Sequence, residues 1–69
     1  MTNTALLNQL IKESGLKKKY IAEQLGITGY GLQKKIENLS EFKSSEISIM
    51  CDLLNINSLK QKETIFFAN

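Results

Sequence analysis

Reactive side chains are scarce in this 69-residue chain. It holds no histidine, a single cysteine at position 51, and seven acids scattered along its length. Neither a nucleophile with its base nor a general acid–base pair can be assembled from that inventory. An intramolecular disulfide and a Cys/His zinc site are equally excluded, and no cofactor is expected. Cys51 lies among Ile47, Met50 and Leu54 at helical spacing, with no base in sequence reach, and reads as a small buried apolar residue. The chemistry left open is binding, and its charge comes from lysine alone. Nine lysines and no arginine stand against the seven acids, a formal net charge of +2. Nucleic-acid binders usually carry a larger excess, because each neutralised phosphate releases counterions. The balance gives mild support for DNA and no more.

Three groups of residues stand out as binding candidates. The first is Lys17-Lys18-Lys19, a cluster of cations at the start of a helical segment, where the helix dipole is positive and each costs a few tenths of a kcal/mol. A nearby anion reverses that penalty. The run therefore reads as a solvated surface, a contact to phosphate, or a contact to an acidic protein surface. The second group is Tyr30, Gln33, Lys34 and Glu37, spaced i, i+3, i+4 and i+7 along one helix face. Tyr30 stands between Gly29 and Gly31, whose missing side chains let a partner approach its ring. It reads as a phenol lying along the surface, a protein-binding anchor, or a contact to a base or phosphate. The third group is Ile49 with Leu53, on the outer side of a later helix, which reads as an isolated exposed residue or as an apolar interface patch.

These groups need elements to hold them, and the apolar periodicity supplies five short helices. Leu7, Leu10 and Ile11 define a helix over about 4–14, stopped by Gly15. Ile21, Ala22 and Leu25 define a second over about 17–25, stopped by Gly26. Thr28 is expected to cap a third helix, about 28–38, whose inner residues are Leu32 and Ile36. The polar stretch 38–43 reads as a loop with Phe42 folded inward. Ser44 is expected to cap a fourth helix carrying Glu46 in its first turn and Ile47, Met50, Cys51 and Leu54 inward. Ser58 and Gln61 match a capping box opening a last helix with Ile65, Phe66 and Phe67; the aromatic pair reads as at least half core, or as leaving one ring for a dimer contact. There is no proline, low-complexity tract or repeat, so residues 1–69 read as one all-α domain. Neither a membrane span nor a signal peptide is apparent, and the expected location is the cytoplasm.

A helix, a tight turn containing glycine and a second helix with a polar outer stripe form the helix-turn-helix pattern. In the run Tyr20-Ile21-Ala22-Glu23-Gln24-Leu25-Gly26-Ile27-Thr28, small Ala22 permits a close crossing, Gly26 turns the chain and Ile27 plugs the gap beneath. At these residues the chain resembles the Cro/repressor family of helix-turn-helix proteins over nearly its full length. Ile-Ala-Glu-Gln-Leu-Gly-Ile-Thr, Phe-Lys-Ser-Ser-Glu-Ile and Ile-Phe-Phe look especially like small regulators of temperate phages of Gram-positive bacteria. The resemblance implies a five-helix, phage-repressor-like fold whose third helix enters the major groove while the start of the second touches the DNA backbone. By that likeness Lys18 matches a phosphate-contacting position, and Gly29, Tyr30 and Lys34 match positions near base edges. The chain departs from the family pattern in having glycine at 29 and 31 and lysine where helix 2 often has a Ser or Thr cap.

The expected DNA-binding residues are therefore Lys17, Lys18, Lys19, Thr28, Gly29, Tyr30, Gln33, Lys34 and Asn38. The expected partner-binding residues are Tyr30, Lys34, Ile49 and Leu53. The implied role is a non-enzymatic transcriptional regulator in a lysis–lysogeny switch inside a bacterial host, with weak DNA binding alone and binding to a partner repressor. Its partners would be double-stranded operator DNA, a phage repressor and a second copy of itself, with no membrane and no small-molecule substrate. The alternatives are a pure antirepressor that acts only on protein, and a conventional dimeric operator-binding repressor or antitoxin.

Overall fold

In the computed structural model, which describes residues 1–68, the chain folds into five α-helices with no strand among the described residues. They are α1 (Thr4–Ser14), α2 (Lys18–Leu25), α3 (Gly29–Ile36), α4 (Ser44–Leu54) and α5 (Leu59–Phe66). None of them is long and apolar enough to cross a membrane.

The helix starts follow from side chains that satisfy orphan backbone N–H groups. The Asn3 side chain accepts from the Leu6 N–H at 3.1 Å, Thr28 Oγ1 from Gly31 at 2.9 Å and Ser58 Oγ from Gln61 at 3.0 Å. The start of α4 differs from the sequence expectation. Lys43 rather than Ser44 is its N-cap, and Ser44 is the first helical residue. Lysine has no acceptor, so only half a capping box forms, with the Glu46 carboxylate accepting from the Lys43 N–H at 2.8 Å. The start of α2 has no side-chain cap at all.

The ends of α1 to α4 share one device, a residue with left-handed backbone. Gly26 at φ 72° and Asn38 at φ 66° are left-handed residues that reverse the chain. After α2, Gly26 donates to the Glu23 carbonyl and Ile27 to that of Ala22; after α3, Asn38 donates to Lys35 and Leu39 to Lys34. A Cβ at position 26 would meet open space, so glycine is favoured there by its backbone angle and not by crowding. The stop at Asn38 also explains why α3 ends at Ile36, two residues before the expected 38.

The core gathers the inner residues of all five helices, with Leu7, Ile21, Leu32, Ile36, Met50 and Ile65 fully buried. Helix α2 lies against α3 and α4, while α1 touches α3, α4 and α5. Phe42 folds inward and meets Phe66 edge-on with ring centroids 5.5 Å apart, whereas Phe67 is exposed. Cys51 is half-buried, and burial pushes its thiol pKa up, leaving it protonated.

Two polar assemblies lock this core. Lys35 of α3 and Glu46 of α4 form an ion pair at 2.6 Å, their side chains only 12% and 7% exposed. Burial alone would raise the Glu46 pKa, but the Lys35 hydrogen bond, the Lys43 N–H and the two ammonium charges together hold it below its ordinary value. The second assembly ties down the N-terminus. The Asn38 amide accepts from the Thr2 N–H and donates to the Thr2 carbonyl, both at 2.8 Å. Beside it, Asn3 donates to the Ile65 carbonyl at 2.7 Å and the Thr4 hydroxyl to the Ile36 carbonyl at 2.6 Å. A three-residue strap thus joins the end of α3 to α5.

Candidate functional site

Burial of Leu32 and Ile36 fixes the rotation of α3, and with it the outward set Tyr30, Gln33, Lys34 and Glu37. Tyr30 is 76% exposed, and the Lys34 ammonium lies 5.5 Å from its ring centroid in a cation–π contact. A Cβ at Gly29 would meet nothing within 4 Å, so the approach to the ring is open on that side. At Gly31 a Cβ would come 3.2 Å from Thr28 Oγ1, pressing on the hydroxyl that caps the helix.

The α2–α3 crossing brings the lysine run to this stripe. Lys18 Nζ donates to Gln33 Oε1 at 3.1 Å, and Gln33 Nε2 donates to Glu37 Oε2 at 2.8 Å. The result is a chain of three side chains across two helices, with a cation at one end and a carboxylate at the other. Lys17 and Lys19 are exposed beside Lys18. The uncapped N–H groups of α2 and three ammonium groups make this corner a place where an anion relieves both unmet hydrogen bonding and charge repulsion.

The remaining expected site residues lie outside this chain of contacts. Thr28 is exposed, but its hydroxyl oxygen is engaged as the α3 cap. Asn38 has both ends of its amide on Thr2 and holds the N-terminal strap in place. Ile49 and Leu53 belong to α4; Leu53 packs partly against the core, while half-buried Ile49 stands outside it. Among the described residues no cluster of His, Cys, Asp or Glu is suited to hold a metal ion.

Several features were not read from the sequence. The contact of Gln33 with Glu37 was legible, since residues four apart on a helix meet. The left-handed asparagine at 38 was also signalled by its type. Lys18 with Gln33, and Lys35 with Glu46, join different elements and carried no local signal. The strap leaves an open cleft of about 120 Å³ bordered by Met1, Asn38, Glu41, Phe42 and Phe67, another feature of tertiary origin.

In comparisons with known protein families, curated proteins and solved structures, the chain matches none.

Proposed function

We propose that this chain is a small transcriptional regulator of the helix-turn-helix class, a phage-type modulator of repression whose working face is built from α2 and α3. The observation that carries this reading is the Lys18–Gln33 contact, which joins a lysine-rich, uncapped helix start to the polar stripe of the next helix. A duplex needs both kinds of group. Ammonium groups beside an open helix N-terminus suit a phosphate, and a polar helix face suits base edges in the major groove. The Gly26-Ile27-Thr28 turn between the two helices has the length and glycine that such a motif requires. Without arginine, the face has no bidentate guanine contact of the commonest type, so its affinity for DNA alone is weak and a partner repressor supplies the rest.

A second reading is favoured by one observation. Tyr30 projects from an open surface flanked by Gly29, as an aromatic protein-binding anchor does. In that reading the chain is an antirepressor that covers a repressor's own DNA-contacting surface and does not itself touch DNA. Measuring binding to duplex DNA from its regulatory region, alone and with the repressor, at two salt concentrations separates the two. Weak, salt-sensitive binding that strengthens with the repressor is expected. Repressor binding with no DNA contact supports the antirepressor reading instead. If Tyr30→Ala and Lys34→Ala alter neither activity, the α2–α3 face is not the working surface.

A further inference from the structure

Gln33 is the one side chain on the α2–α3 face whose orientation is dictated from both sides. Lys18 on its α2 side is purely a donor, and Glu37 on its C-terminal side is purely an acceptor. A primary amide flanked by such a pair has one polarity: its oxygen faces Lys18 and its nitrogen faces Glu37. Turning the amide over would set two donors against each other at one end and two acceptors at the other. Each amide atom keeps half its capacity, since Oε1 retains a lone pair and Nε2 retains one N–H. What Gln33 offers a ligand is therefore an acceptor and a donor side by side, in fixed order.

We infer, resting on the DNA-binding reading above, that Gln33 reads the adenine of an A·T pair in the major groove, in one strand orientation. Adenine presents an N6 donor beside an N7 acceptor, the complement of the free Gln33 edge. Guanine presents two acceptors, O6 and N7, and would set O6 against Oε1. The locked nitrogen has one N–H left, so it cannot serve both guanine acceptors. Reversing the pair to T·A replaces the adenine edge with thymine O4 and a methyl group, leaving one of the two amide groups without a partner. Lys18 and Glu37 act as positioning residues. Lys18 also retains two N–H donors for phosphate, which couples backbone contact to the orientation of the reading amide. Glu37 opposes overall affinity, because its carboxylate faces a polyanion, yet it sharpens discrimination.

The test is selection of the full-length protein on a pool of randomised duplexes, with the repressor added where affinity alone is too low, followed by anisotropy titrations on the selected site and its single-base variants. The wild type is expected to show one position where A is preferred over the other bases by roughly tenfold, the discrimination of one bidentate contact. Gln33→Glu converts the donor to an acceptor and is expected to move that preference to cytosine, whose N4 donates. Glu37→Ala is expected to raise affinity for all sequences while reducing the A-over-G preference several-fold, because the amide is freed to turn. Glu37→Gln, which still offers an acceptor oxygen, keeps the preference. A merely structural Glu37 would lower affinity uniformly and leave the preference intact. If the wild type selects a site but Gln33→Glu changes no base preference, the adenine assignment is overturned and the DNA-binding reading stands. If neither the chain nor its mixture with the repressor gains any DNA contact attributable to this chain, both are overturned. Circular dichroism melts of each variant check that it is folded at the assay temperature.

Discussion

Two amides, one within α3 and one just past its C-terminus, are placed in opposite circumstances. Asn38, just past its C-terminus, has oxygen and nitrogen both bonded to the backbone of Thr2, in a left-handed turn. Gln33, in mid-helix, is held by two charged side chains and keeps an edge to offer. The lysines divide the same way. Lys35 is buried against Glu46, while Lys17, Lys18 and Lys19 stand exposed at an uncapped helix start. Groups anchored to backbone or buried partners hold the fold. Groups held by long, exposed side chains keep hydrogen-bonding capacity to offer a ligand.

Breaking the buried pair gives the largest expected effect. Glu46→Ala removes an α4 cap and leaves Lys35 with no counter-charge, at a cost of about 3 kcal/mol. Such a loss is a large part of the stability of a domain this size, so urea unfolding is expected to show a much lower midpoint. The pair is also expected to contribute to the acid limb of the stability–pH curve. The folded Glu46 carboxyl titrates below its ordinary value, so its contribution is complete above about pH 4.5 and disappears as pH falls through the lower folded value. Glu46→Gln is expected to flatten that part of the stability–pH curve; an unchanged acid limb would show that other carboxylates set it.

Asn38→Ala comes next. It removes two bonds to the strap and forces a Cβ residue other than asparagine into a left-handed turn, together about 2 kcal/mol. Asn38→Gly relieves the backbone part and is expected to recover some of the loss. Both variants should leave ligand affinity unaltered at a temperature where they are folded, since the Asn38 amide faces the chain's own backbone. A selective loss of DNA binding would reassign Asn38 to the working face.

On the open face the expected effects are smaller and one reverses sign. Gly29→Ala adds a Cβ into empty space in the first turn of α3 and is expected to stabilise by about 0.5 kcal/mol. It should at the same time weaken any partner that approaches the Tyr30 ring closely, which a repressor titration would reveal. Lys19→Gln removes one cation from the start of α2 and is expected to raise stability by a few tenths of a kcal/mol at low salt, an effect that fades as salt is added. If Lys19 meets a phosphate, the same change lowers the slope of log affinity against log salt by about one. An unchanged slope would return Lys19 to plain surface.

Much of the scaffold was legible beforehand because its signals are local. The Thr28 and Ser58 caps, the Gly15 and Gly26 stops, and the inward positions of Leu32 and Ile36 each depend on a few neighbouring residues. At α4 the signal is local too, but it is the Glu46 carboxylate reaching back to the Lys43 N–H that sets the start, and not the Ser44 hydroxyl. Helix α3 ends before the expected 38 because Asn38 adopts the left-handed backbone that glycine adopts at 15 and 26, a preference its residue type carries.

The sequence by itself determined the five helices, the apolar face of each, and the stripe of Tyr30, Gln33, Lys34 and Glu37, because periodicity and capping act within a turn or two of chain. Only the tertiary structure decided which polar groups are free. The angle at which α2 crosses α3 sets Lys18 on Gln33, and the closure of the N-terminal strap engages both ends of the Asn38 amide. Neither is encoded by spacing along the chain, since a hydrogen bond between elements depends on how the whole core orients them.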